Sequence, residues 1–325
     1  MHQPSPREVT TPALTASVAL LKPAATAPRV WRAVLAAIAL GAMGCAAPAR
    51  DHAAEGAPAG LVDDFGDTLR LSRAAQRVVS LNPVTSEAIY AIGAGDRLVG
   101  RTHFDGTPAA VKQVADVGNG LQPNVEAVLA LRPDLVVLYA AEGNRAAAAA
   151  LRRAGVQTLT LRTDRIADLS RALHALAVAV GNPAAAQPVV DSVRRSLDAA
   201  RATPAHPPTV FFHVWDAPVI TIGGGSYLDE LATLVGARNV FGNLAQPSPQ
   251  VTMESVAQRN PDFVLAGPTA AARLKTDPRW RAVPAVRDGR VLVVDTALVG
   301  RPGVRMGEAA RSLRALLDSA TRTKP

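Results

Sequence analysis

QPNVEAVLALRPDLVVL at residues 122–138 and QVTMESVAQRNPDFVLA at residues 250–266 are two copies of one pattern, 128 positions apart. Gln122 aligns with Gln250, Glu126 with Glu254, Val128 with Val256, Pro133 with Pro261, Asp134 with Asp262 and Val136 with Val264. Each copy reads as a short helix, a Pro-Asp turn and a buried strand. One such unit occurs in any α/β protein. Two of them, on either side of a single long helical stretch, predict two similar lobes. A weaker echo lies upstream of each, Glu87…Gly93-Ala94 and Glu230…Gly236-Ala237.

The helical stretch between the copies begins at Asn182-Pro183, which suits an N-cap followed by proline in the first turn. Val189, Val190, Val193 and Leu197 continue it to about Arg201, with Pro188 expected to kink its start. Thr203-Pro204-Ala205-His206-Pro207-Pro208 then breaks the chain. On both sides short β-rich runs alternate with helical patterns. Strands are expected at 78–81, 135–139 and 158–161, with helices at 85–92, 144–154 and 166–180. Beyond the break come strands at 210–214, 219–222, 263–266 and 291–295, and helices at 226–235 and from 306 to about 320. This alternation predicts two Rossmann-like α/β lobes, each around a mainly parallel sheet, joined by one long backbone helix. The corresponding division is an amino-terminal lobe at 61–182, a backbone helix at 183–203 and a carboxy-terminal lobe at 204–325.

The 325 residues are 48% hydrophobic and 19% charged, which is ample for sizeable cores and argues against wholesale disorder. One cysteine excludes an intramolecular disulfide and any CxxC-type zinc or redox site. The formal charge of +8 invites a nucleic-acid reading. The first 44 residues carry Arg7, Lys22, Arg29 and Arg32 against Glu8, so +5 remains on the rest. Those remaining cations are scattered rather than arranged in a stripe or module, so no nucleic-acid partner is expected.

Arg29 and Arg32 precede an apolar run from Ala33 to Met43, a secretory pattern that marks 1–44 as a signal peptide. Eleven helical residues rise about 16 Å, short of a hydrocarbon core of about 30 Å. The lone Cys45 follows at once. Gly41-Ala42-Met43-Gly44-Cys45 resembles a bacterial lipobox, with Ala42 in place of the usual leucine. That resemblance implies cleavage before Cys45 and a lipid on its sulfur; the alternative is an ordinary signal peptide. Residues 45–60, rich in Ala, Gly and Pro, read as a flexible tether.

Glu126 and Glu254 fall in the first turns of their helices, where an acid is favoured by the helix dipole. Their matching positions also suit a two-point acidic grip on a two-fold partner with basic sockets. A catalytic carboxylate pair would need them about 5–9.5 Å apart, which separate lobes disfavour. GxSxG, HExxH and Walker patterns are absent, so no catalytic residues are assigned and an envelope hydrolase is only a remote alternative. Gly223-Gly224-Gly225-Ser226 reads as an N-cap rather than an anion loop. The six histidines show no metal-ligand spacing and no metal site is expected. His103 and His213 are the two that could face a cleft.

Five ordered segments carry a wider resemblance: 77–105 (RVVSLNPVTSEAIYAIGAGDRLVGRTHFD), 124–138, 220–241 (ITIGGGSYLDELATLVGARNVF), 277–295 (DPRWRAVPAVRDGRVLVVD) and 301–313 (RPGVRMGEAARSL). From about Leu61 to Leu317 the chain resembles the substrate-binding proteins of bacterial importers for iron complexes and corrinoids. These are the helical-backbone (class III) type, and the cobalamin-binding members are the most similar.

The resemblance implies a monomeric lipoprotein of the cell envelope, facing the periplasm or cell exterior. It would capture a small molecule between its lobes and deliver it to a permease dimer with ATPase subunits. It implies no cofactor. The expected ligand is cobalamin or another corrinoid; a ferric siderophore or other iron complex is the alternative. Glu126 and Glu254 fall on the family's permease-docking glutamates. The expected cleft wall is Asn82, Pro83, Val84 and Thr85 after the first strand, His103 and Phe104 at the next loop, Tyr139, and from the second lobe Trp215, Ser248 and Arg301. Gly120 and Ser248 stand where cobalamin binders commonly place aromatics. Thr107 precedes Pro108 where haem binders tend to have tyrosine. Arg301 and Arg305 are the groups that would meet an anionic siderophore.

Overall fold

Parallel strands buried on both faces must be apolar throughout, and the strand of each repeat obeys this rule. The computed structural model describes residues 60–323. The expected signal peptide at 1–44, Cys45 and the expected tether up to residue 59 lie outside the described residues.

The amino-terminal lobe starts with a small hairpin, β1 (Leu61–Val62) and β2 (Thr68–Leu69). Then follow β3 (Val78–Ser80), α1 (Pro83–Ala91), β4 (Leu98–Arg101), β5 (Ala115–Asp116), α2 (Val125–Ala130), β6 (Leu135–Tyr139), α3 (Arg145–Arg153), β7 (Gln157–Leu161) and α4 (Asp168–Ala179). Its five-stranded parallel sheet has the order β5-β4-β3-β6-β7. Val137, Leu159 and Leu161 bury one face of that sheet, and Val79, Val136 and Leu138 the other. This two-residue alternation between two helix layers is why the strands read as unbroken apolar runs.

A 3-10 turn, Pro183–Ala185, leads into α5 (Ala186–Ala200), the backbone helix. Pro188 is the third residue of α5, where a backbone N–H has no intrahelical acceptor, so the helix passes through it. The carboxy-terminal lobe comprises β8 (Thr209–Phe212), β9 (Trp215–Asp216), β10 (Val219–Ile220), α6 (Tyr227–Leu234), β11 (Arg238–Asn239), α7 (Met253–Arg259), β12 (Phe263–Ala266), α8 (Pro268–Thr276), α9 (Pro284–Arg287), β13 (Val291–Val293), α10 (Thr296–Val299) and α11 (Met306–Thr323). Its parallel sheet has the order β11-β8-β12-β13.

The expected strand at 219–222 does not join this sheet. Ala217-Pro218 turns the chain back, so Asp216 pairs with Val219 in a separate antiparallel hairpin. The two-residue β11, too short to show in the pattern, takes the place beside β8.

The repeat has a structural cause in each lobe. Leu135 lies beside Val78, and Phe263 beside Val210. The Asp134 carboxylate accepts from the N–H groups of Gln76 and Arg77, both at 2.9 Å. Asp262 accepts from the N–H and hydroxyl of Thr209, both at 2.8 Å. Each Pro-Asp turn thus staples the start of one strand to its neighbour. Asn124 and Thr252 cap α2 and α7 through their side chains. At the other end Arg132 and Asn260 both take left-handed backbone, with φ of 48° and 42°. Asparagine tolerates that region, whereas arginine is disfavoured there. Arg132→Asn, copying the second lobe, should raise stability by about 0.5 kcal/mol, seen as a rise in Tm.

One apolar cluster runs from the first sheet through Val193 and Leu197 of α5 to Ala310, Leu313 and Leu317 of α11. The two helices approach closely at Gly307, where a Cβ would meet Ser196 Oγ at 2.1 Å. The connection between the lobes is therefore a packed helix pair.

Candidate binding cleft

In an open parallel sheet, ligands sit outside the carboxyl ends of the strands, where neighbouring connections diverge. That point lies between β3 and β6 in the first lobe and between β8 and β12 in the second. A cleft of about 560 Å3 opens there between the lobes. Seven of the ten expected wall residues line it: Asn82, Pro83, Val84, Phe104, Tyr139, Ser248 and Arg301.

Local chemistry fixes the first three. Asn82 Oδ1 accepts from Val84 N at 3.0 Å as the cap of α1, and Pro83 occupies the first helical position. Thr85 does not reach the cleft. It is buried, its hydroxyl bonded to Asn82 O at 2.9 Å and to Ser80 Oγ at 2.7 Å, so it supports the turn from beneath.

His103 and Trp215 also stand outside the cleft lining. His103 is exposed, its ring 4.0 Å from that of Phe104. Trp215 is exposed on its hairpin and donates to Ala217 O. His213 is buried: Nε2 meets Asp216 Oδ1 at 2.7 Å, and its ring packs edge-on to Trp280. Asp216 in turn pairs with Arg273 at 2.6 Å. Among the described residues no group of three His, Cys, Asp or Glu is arranged to hold a metal ion.

Gly120, singled out in the sequence with Ser248, lies in the wall, but a Cβ there would stand 1.9 Å from Leu81 O. No side chain fits, and Leu121, 62% exposed, supplies the apolar surface instead. Thr163 and Asp164 follow β7. They are not among the positions the resemblance carried over, and the rule that ligands sit beyond the carboxyl ends of parallel strands, applied to β7, points to them. Leu228 and Ile222 complete the apolar wall of the second lobe.

Two charged side chains line the cleft, and each is engaged within the protein. The Tyr139 hydroxyl donates to Asp164 Oδ1 at 2.5 Å, and Arg162 lies 3.9 Å from the same carboxylate. Burial first, then the Asp164 carboxylate, pushes the Tyr139 phenol up to about 12. Arg301 donates to Phe104 O at 2.8 Å and pairs with Glu87 at 3.4 Å. Glu87 is 5% exposed; burial raises its carboxyl above the usual range, partly offset by Arg301 and Arg305. Arg305 is held by Glu308 at 2.8 Å.

Away from the cleft, Glu126 and Glu254 are exposed at the starts of α2 and α7. Neither forms an ion pair among the described residues. The backbone N–H of Glu254 and the Thr252 hydroxyl hold the Glu254 carboxyl below the usual carboxylate range.

A family described as periplasmic binding protein matches residues 78–298, spanning both sheets and the backbone helix. The chain belongs to this family. The chain is 30% identical over 300 residues to an uncharacterized ABC transporter substrate-binding lipoprotein of Bacillus subtilis, covering 87% of this chain and 95% of that protein. It is 28% identical over 249 residues to the vitamin B12-binding protein of Vibrio cholerae, covering 76% and 90%. The crystal structure of a periplasmic heme-binding protein from Pseudomonas aeruginosa matches with a TM-score of 0.67 at 29% identity, covering 75% of this chain and 94% of that one.

The protein is thus an exported substrate-binding component of an ABC importer. It works with a membrane permease and ATPase subunits on a small-molecule ligand. Its family consists of transport proteins.

Proposed function

We propose that this protein is a monomeric lipoprotein, anchored through Cys45, that captures a corrinoid in the cleft and hands it to the permease. It has no enzymatic step. Glu126 and Glu254 dock the two lobes on the permease dimer. The cleft wall is Asn82, Pro83, Val84, Phe104, Tyr139, Ser248 and Arg301, with Leu121 and Leu228 adding apolar surface.

The observation that carries the reading is the charge state of the cleft. Arg301 is paired with Glu87, and the Asp164 carboxylate accepts from Tyr139 and lies 3.9 Å from Arg162, so both charges of the wall are engaged within the protein and the rest of it is apolar or neutral polar surface. Such a wall suits a large ligand fringed with amides, as corrinoids are. A vitamin B12-binding relative supports the same reading. An anionic iron complex would need a free cation, and Arg305 as well as Arg301 already has a carboxylate partner.

Visible spectroscopy tests this. Aquocyanocobinamide should stay with the chain from residue 46 onward through gel filtration at one to one, and the retained pigment should show no band shift from protein ligation. Haemin should show no stoichiometric complex. Haemin binding with a phenolate- or imidazole-ligated spectrum, without corrinoid binding, would overturn the proposal.

A further inference from the structure

The weaker echo in the sequence has a structural counterpart. Glu87 lies in α1 and Glu230 in α6, each six residues before a glycine with positive φ, Gly93 at 75° and Gly236 at 81°. Each glutamate reaches across to an arginine of the opposite lobe. Glu87 of the first lobe meets Arg301 of the second at 3.4 Å. Glu230 of the second lobe meets Arg165 of the first: Oε1 lies 2.6 Å from Nε and 2.5 Å from Nη2. Glu230 Oε2 also accepts from Ile166 N at 2.8 Å, and Arg165 donates to Gly225 O at 2.9 Å. The two ion pairs therefore cross the gap in opposite senses.

They also bracket the cleft. Arg301 is itself a wall residue, and Asp164, also in the wall, immediately precedes Arg165. Next to each pair the backbones of the two lobes come together. Tyr227 N donates to Asp164 O at 3.0 Å beside one, and a Cβ at Gly303 would stand 3.3 Å from Val84 beside the other.

We propose that Glu87 and Glu230 are matched positioning residues that set the gap between the lobes, and through it the rate at which ligand escapes. A packed α5–α11 connection leaves the lobes only a small hinge, so two short side-chain bridges on either side of the mouth suffice to fix it. The Glu87 bridge is the more buried, and losing one partner there strands a charge. The Glu230 bridge is half-exposed, screened by solvent and easier to open. The bridges thus differ in strength, and the Glu230 side opens first.

The ligand-escape part rests on the transport reading above; the gap itself can be measured without any ligand. The chain from residue 46 onward contains no cysteine, so Ala130→Cys and Gln258→Cys, matched exposed positions on α2 and α7, take spin labels cleanly. Pulsed electron resonance on the unliganded protein should give one narrow distance. Glu230→Gln should broaden it, and Glu87→Gln with Glu230→Gln should broaden it further and shift it by a few Å. Exchanging the Glu230 pair (Glu230→Arg with Arg165→Glu) restores the ion pair but not the bonds to Ile166 N and Gly225 O, so it should narrow the distribution again relative to Glu230→Gln without fully recovering it, an outcome that loss of folding could not give.

In the same variants the cobinamide dissociation rate should rise about tenfold, with the association rate changed less than threefold. An unchanged distance distribution in the double glutamine variant would overturn the proposal, whatever the ligand proves to be. Altered distances without any corrinoid binding would leave the bridges standing and remove the corrinoid reading.

Discussion

Replacing Glu126 and Glu254 together by alanine should reduce ligand uptake by at least a hundredfold while leaving ligand affinity within about twofold. Both carboxylates are exposed, lie at matching positions of the repeat and have no ion-pair partner among the described residues. Glu254 is held in its charged form by its own N–H and by Thr252, so it is ionised throughout the neutral range. Breaking a desolvated charge pair in an interface typically costs about 2–5 kcal/mol, and two such losses exceed a hundredfold. Each single variant should fall between wild type and the double. Vesicle uptake, with ligand affinity measured separately, checks this; unchanged uptake in the double variant would remove both residues from the docking surface.

The second large effect is structural. Trp280 is 1% exposed and lies at the centre of the outer core of the second lobe, with ring centroids 6.0 Å from Phe211 and 5.3 Å from His213. Trp280→Ala should destabilise the protein by about 3–5 kcal/mol, because the surrounding Phe211, Val264 and Val283 cannot close a cavity of indole size. It should also loosen the cover over the His213–Asp216 pair. Chemical denaturation measures the loss. A change below about 1 kcal/mol would mean that this layer repacks freely.

The two lobes were legible in the sequence because the repeat is imposed by geometry. A Pro-Asp turn that staples one strand to the next needs the same residues in the same order wherever it is used. The limits of β6 and β12 followed from their unbroken apolar runs. β5 and β11 did not, since two residues carry no periodicity. The hairpin at Trp215–Ile220 was misjudged because its register depends on a two-residue turn, to which hydrophobic pattern is blind.

The cleft was legible where the resemblance carried over residues at the ends of strands, as at Asn82–Val84 and Tyr139. It failed where the direction of a side chain decides. Thr85 turns inward to the strand, His213 inward to Trp280, and Gly120 is pressed against a carbonyl so that Leu121 does its work. The crossing of Glu87 and Glu230 could not be read from one chain. Spacing shows that two glutamates correspond, and only the packing shows that each faces the other lobe.

Calorimetric titration of cyanocobalamin into the chain from residue 46 onward decides whether the cleft takes a corrinoid. One site per chain with submicromolar affinity is expected, and no comparable heat from a ferric siderophore. Absence of binding to cyanocobalamin and cobinamide, together with tight binding of the ferric siderophore, would contradict the corrinoid reading.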